Sequence, residues 1–236
     1  PMRVDLHVHS KYSKRPSAWV LKKIGCPESF TEPQDIYRIA LARGMTHVTI
    51  SDHNRIEGAL AIAHLPRTFI SEEITTYFPE DRCKLHVLAL DITERQHADI
   101  QHCRDNVFYL VDYLRAQGIV HVVAHPLYGV NDRLSIEHFE KMLLLFKNFE
   151  MNGARNDVAN DGLEAVLQSL TPDMIARLSD RHGIDPVGAH LELRDVLDHD
   201  VQLDRFIDLV VGLVPHREAK NTSFPQLPKL MGRERR

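Results

Sequence analysis

The sequence predicts an α/β fold in which a parallel sheet is covered by helices, either as an open sheet or closed into a barrel. Three observations predict it. Strand-like and helix-like stretches alternate along most of the chain, the pattern of consecutive βα units. The 236 residues suffice for one large domain, since single α/β barrels run to this size. No low-complexity linker and no clear repeat divides them.

The elements follow in order. Val4-Asp5-Leu6-His7-Val8-His9 alternates strictly. Strand side chains point to opposite faces with a period of two, so Val4, Leu6 and Val8 are expected on one face and Asp5, His7 and His9 on the other. Pro33 suits the first turn of a helix bearing Ile36, Ile39 and Ala40, with Gly44 placed to stop it. His47 to His53 reads as the second strand, followed by a helix-like Ile56 to His64, then short strands at Phe69 to Glu73 and Leu85 to Leu90. Thr93 can cap one long helical region with Ile100, Cys103, Val107, Leu110, Val111 and Leu114 on it and Gly118 as its stop. Ile119 to His125 is a β-branched strand. Ser135 then opens a helix with Phe139, Met142, Leu143 and Phe146 at i, i+3, i+4 and i+7. Asn148 to Asn152 is another strand. Helices are expected near Leu163 to Leu170 and from Thr171 (cap) and Pro172 to Gly183. Residues 1–214 read as one domain whose 190–214 stretch is atypical, and 215–236, ending Arg-Glu-Arg-Arg, as a flexible tail.

Composition narrows the function classes. A formal net charge of −4 argues against a broad nucleic-acid surface and leaves room for a local pocket taking a small anion. Cys26, Cys83 and Cys103 are odd in number and form no C-x-x-C pair, which points to a reducing compartment with unpaired thiols. The most apolar stretch, Phe206 to Val214, is too short to span a membrane and carries Asp208. The start of the sequence lacks the apolar core of a signal peptide, so a cytoplasmic protein is expected.

Fifteen histidines are the compositional signal, because several recur at the same place in the strand pattern. The first strand ends in His7-Val8-His9, the second in Asp52-His53 and the third in Glu73; the fourth carries His86 near its start, and the fifth ends in Ala124-His125-Pro126. In a parallel sheet or barrel the strand C-termini open on one face, where ligands and catalytic groups collect. Imidazole and carboxylate together suit zinc, manganese or iron, and a lone glutamate among histidines can bridge two ions with its two oxygens. Asp52 is the catalytic candidate, expected to orient an imidazole or accept a proton rather than to ligate.

At these residues the chain resembles the PHP family, the polymerase and histidinol phosphatase group of metal-dependent phosphoesterases. The matching segments are Asp5-Leu6-His7-Val8-His9-Ser10, Ile50-Ser51-Asp52-His53-Asn54, Glu73-Ile74, His86-Val87-Leu88 and Ala124-His125-Pro126, over about residues 2–152. Each segment alone is weak; the five in order are specific. The resemblance implies a distorted (β/α)7 barrel with two or three divalent ions. It implies His7, His9 and Glu73 around one ion, Glu73, His86 and His125 around a second, and His53 toward a third. It is nearest the subgroup found beside glycosyltransferase modules, which implies fusion to or association with such a module. Two departures stand out. Lys14 and Arg15 occupy positions where many members carry a third-metal ligand. The Gly-Ser-Asp-x-His strand end that closes the family's site is missing. Asp180-Arg181-His182 matches its last three positions but lies in a helix turn. Asp198-His199-Asp200 lacks the preceding glycine and serine, and His190 follows Gly188-Ala189.

Other polar residues have plainer readings. His47, His64, His97, His102, His121, His138, His182 and His216 match no motif and read as satisfied or surface histidines. Glu72 competes with Glu73 as the bridging acid, and alternation favours Glu73. Glu150 and Asn152 close the sixth strand and could line the cavity. Lys11, Lys14, Arg15 and Arg55 could receive a phosphate or be solvated loop charges. The leading function is hydrolysis of a small phosphomonoester, sugar phosphate or nucleotide by a metal-activated water. A metal-dependent amidohydrolase and a degenerate, non-catalytic PHP module are the alternatives.

Overall fold

The computed structural model describes residues 2–13, 29–151 and 157–187. Its elements are α1 (Pro33–Ala42), α2 (Glu57–Leu60), β1 (Ser71–Tyr77), β2 (Lys84–Leu90), α3 (Glu94–Cys103), α4 (Val107–Ala116), β3 (Val120–Ala124), α5 (Ile136–Leu145), α6 (Asp157–Ser169) and α7 (Pro172–His182). Lys14, Arg15, Cys26, Asn152, His190, Asp198, His199, Asp200 and His216, with the 190–214 stretch and the 215–236 tail, lie outside the described residues.

The fold is mixed α/β, as expected, but its sheet is not the parallel one that alternation suggested. β1, β2 and β3 lie in that order, and both pairings are antiparallel. Parallel contacts flank this sheet: His53 bridges Glu73, Val48 bridges Thr68, and Val123 bridges Phe149. The first segment runs alongside 46–51 in the same direction, with Arg3 O accepting from Thr46 N at 2.8 Å and Val8 O from Ser51 N at 2.8 Å.

The connections explain these directions. Parallel neighbours need a crossover, usually through one helix, whereas a short turn forces a reversal. The connection 78–83 is too short for a crossover, so β2 runs back along β1. Between β2 and β3 the chain forms two helices, not one, and the second returns it to the end it left. The expected long helix breaks at 104–106, where the Asn106 side chain accepts from Phe108 N and starts α4. A single helix separates 46–53 from 68–73 (α2) and β3 from 148–150 (α5), and both of those pairs are parallel.

Both faces of the sheet are covered. Leu85, Val87, Ala89, Ile74 and Val123 pack with Ile100, Leu110, Leu114 and Met142 of the helices. Leu88, Leu90, Val122 and Ala124 face the other way and enclose Val4 and Leu6. Val8, expected with that pair, packs instead with Val48 and Ile50 near α1 and α2. Register is fixed by this alternation: a one-residue slip of β1 would expose Ile74 to the polar side, forfeiting about 1.5–3 kcal/mol, and force Glu73 among apolar side chains.

Candidate metal centre

Strand direction brings the motif residues to one end of the sheet. His7 and His9 end the first segment, His53 ends the second, and His125 follows β3 directly. β2 is reversed, so its beginning lies at that same end, where His86 pairs with Thr75 on one side and Ala124 on the other. Glu73 does not end its strand as expected. It is the third residue of β1, which continues to Tyr77 as one arm of a hairpin.

Five imidazoles surround the Glu73 carboxylate. His7 Nε2, His9 Nε2 and His53 Nδ1 stand 3.2, 3.1 and 3.0 Å from Oε2. His86 Nδ1 and His125 Nε2 stand 2.8 and 3.2 Å from Oε1. His86 Nδ1 and His125 Nε2 are themselves 3.3 Å apart. Among the described residues, two sets of donor atoms are close enough to grip an ion, His7–Glu73–His125 and His9–His53–Glu73. His53 shares Glu73 with His9, because its segment bridges β1 at Glu73 itself.

The donors fit a metal. Glu73 is 1% exposed, and its Oε2 has no hydrogen bond despite three nearby imidazole nitrogens. A buried carboxylate oxygen in that condition is costly unless something else satisfies it. Burial pushes the Glu73 pKa up, but the imidazoles, His7 and His86 foremost, reverse this and hold it well below the usual carboxylate range. Burial lowers His86 to about 4, which keeps it a neutral donor. Burial also opposes protonation of His7, but Glu73 and Glu150 outweigh it and hold its pKa well above the ordinary imidazole value.

Asp52 has a different partner from the one expected. Its oxygens accept from Ser10 N at 2.7 Å and Ser10 Oγ at 2.6 Å, so it fixes the turn that follows His9. Burial raises its pKa against those two hydrogen bonds. Gly58 makes room for this pair: a Cβ there would fall 2.2 Å from Asp52 Oδ2 and 2.5 Å from Ser10 Oγ. The sequence reading did not single out Gly58, which breaks an otherwise helix-like stretch and was the available signal.

The remaining candidates separate cleanly. Glu72 faces the helices, 2.9 Å from His97 Nδ1 and accepting from Gln101 Nε2 at 3.0 Å. Glu150 lies beside the cluster, 2.9 Å from His7 Nδ1 and accepting from His125 N at 2.7 Å. Lys11 and Arg55 already pair with Glu32 at 2.9 Å and Glu57 at 2.8 Å. His182 meets Glu140 at 2.6 Å on the last turn of α7, away from the cluster's contacts. Among the described residues no helix is long and apolar enough to cross a membrane.

No protein-family model matches the chain. An uncharacterized protein of Methanocaldococcus jannaschii is 39% identical over 80 residues, a match spanning 32% of this chain and 45% of that protein. Among solved structures, the chain is similar to an amidohydrolase from Chromobacterium violaceum with bound sulfate and no metal, at 15% identity over 77% of this chain and 84% of that one, with a TM-score of 0.44. It is also similar to a candidate metal-dependent phosphoesterase from Bifidobacterium adolescentis, at 14% identity over 98% of this chain and 96% of that one, with a TM-score of 0.35.

Proposed function

We propose that this chain is a metal-dependent phosphoesterase of the PHP type that hydrolyses a small phosphomonoester or nucleotide. The observation that carries the reading is one buried carboxylate ringed by imidazoles: Glu73 Oε2 faces His7, His9 and His53, while Oε1 faces His86 and His125. His7, Glu73 and His125 would hold one divalent ion, and His9, His53 and Glu73 a second, with His86 beside Oε1. Zinc, manganese and iron suit these donors. Bound there, such ions supply Lewis acidity, lowering the pKa of a water and neutralising charge that develops on a phosphoryl group.

The chain's own residues supply placement. Glu73 presents both oxygens to the imidazoles, and Asp52 anchors Ser10 so that His9 keeps its position. A seven-stranded barrel belongs to this reading. It is supported by Val4 and Leu6 packing across β2 and β3 and by His7 meeting Glu150, which join the first extended segment to the last.

The test is metal analysis of protein purified without chelator, with a phosphate-ester panel assayed against amide and lactone panels. Bound transition metal is expected, with phosphate-ester hydrolysis that chelation abolishes and added metal restores. Equal hydrolysis by metal-free protein would sink the proposal, and turnover of amides or lactones alone would move it to the amidohydrolase class.

A further inference from the structure

Glu150 lies outside both donor sets that could grip an ion, yet it touches two members of the first. Its Oε1 is 2.9 Å from His7 Nδ1, and its Oε2 accepts from the His125 backbone N–H at 2.7 Å. The partners of those contacts, His7 Nε2 and His125 Nε2, each stand 3.2 Å from Glu73. The backbone places Glu150 here, because Val123 N donates to Asn148 O at 3.0 Å and Glu150 N to Val123 O at 2.9 Å, fixing the 148–150 register against β3.

Two physical consequences follow. An ionised carboxylate only accepts, so the His7 nitrogen facing it carries a proton, and in the neutral imidazole that a metal requires this leaves Nε2 with its lone pair toward Glu73. His125 has a φ of 35°, in the left-handed region that a non-glycine residue adopts only when held. The hydrogen bond from its N–H to Glu150 is one such restraint. One side chain therefore sets the tautomer of one imidazole and the backbone of another.

We infer that Glu150 is a positioning residue for the ion shared by His7, Glu73 and His125, acting through the His7 tautomer and the His125 main chain. The inference rests on the metal-centre reading but not on the reaction assigned to it. Outer carboxylates of this kind are worth about 10- to 100-fold in metal affinity.

The test is Glu150→Gln in the full chain. Glutamine keeps the shape but has a single acceptor oxygen, which can serve His7 or the His125 N–H and not both. Zinc affinity, measured by chelator competition, is expected to fall about 10- to 100-fold at one of two ions and to hold at the other. Imidazole nitrogen NMR of the zinc-loaded protein should show His7 protonated at Nδ1 in the wild type, and a shifted Nδ1 signal in the variant as its charged acceptor is lost. Glu140→Gln, which also removes a carboxylate from a histidine, should leave both readouts alone. Unaltered affinity in Glu150→Gln, or a wild-type His7 without a proton on Nδ1, overturns the inference. The second result needs no variant to fold. Zinc binding without phosphate-ester hydrolysis would remove the proposed reaction and leave this inference standing, whereas a wild type that takes up none of zinc, manganese or iron overturns both.

Discussion

Glu72 and Glu73 are adjacent, identical in chemistry and both nearly inaccessible, yet they face opposite sides of β1. Glu73 meets five imidazoles; Glu72 meets His97 and Gln101 of α3. Glu73→Gln is expected to cost at least about 100-fold in activity, with loss of bound metal, because an amide can offer only one of two oxygens as an acceptor and carries no charge. Glu72→Gln should keep its metal and lose about 1–3 kcal/mol of stability, since the charged acceptor of a buried pair is gone. Metal analysis and thermal unfolding of both variants separate the two outcomes, and equal metal loss would contradict the register of β1. Gly58 makes a second residue-scale case. With a Cβ 2.2 Å from Asp52 Oδ2, Gly58→Ala must push the Asp52–Ser10 pair apart, at about 1–3 kcal/mol of overpacking. Unchanged thermal stability in that variant would show that the pair gives way freely.

At the scale of elements, motif positions were legible in the sequence and strand directions were not. Alternation alone put His7 and His9 on one side and chose Glu73 over Glu72, because burial on one face is written in every second residue. Direction depends on whether a connection contains zero, one or two helices, and that turned on the break at 104–106, inside a stretch whose apolar spacing continues unbroken. The grouping of these residues was therefore expected for an incomplete reason. His86 looked misplaced near a strand start, and only the reversal of β2 puts it beside His125. Gly58 stood out only as a glycine in a helix-like stretch; what it makes room for was not legible, because the approach of Asp52 and Ser10 to its backbone leaves no local pattern. The α3–β1 contact also makes a pH prediction. The hydrogen bond to Glu72 raises the His97 pKa against burial, and burial raises that of Glu72. His97 thus holds its proton more tightly in the folded state, so its contribution is full below the unfolded histidine value and fades as pH rises through the folded one. The Glu72 shift has the same sign but is full only below the ordinary carboxylate value. The stability gap between wild type and His97→Gln should be widest near about pH 6 and narrow as pH rises above the ordinary histidine value. The histidine–Glu73 cluster is common to both proteins and cancels from the difference. A gap that widens with pH would reverse the sign.

For the whole molecule, the cluster draws on segments from His7 to Glu150, so most of the described chain must fold before the ligands meet. The α5–α7 pair stands outside that set, and there the sequence offers a literal Asp-x-His at Asp180-Arg181-His182. Helix geometry points residues two apart in different directions. The structure gives this segment another job. His182 Nε2 and Arg181 Nη1 reach the two oxygens of Glu140 on α5, at 2.6 and 2.7 Å, and Val187 N donates to Leu144 O at 3.0 Å, tying α7 and the chain after it to α5. Asp180 is exposed on α7. His182→Ala should therefore lower stability by about 1–3 kcal/mol, because it leaves a mostly buried Glu140 oxygen short of a partner. Asp180→Ala should change stability by less than about 0.5 kcal/mol. Neither should alter metal content. Metal analysis beside thermal unfolding decides the matter, since a metal loss in either variant would make α7 part of the centre and not a clamp behind it.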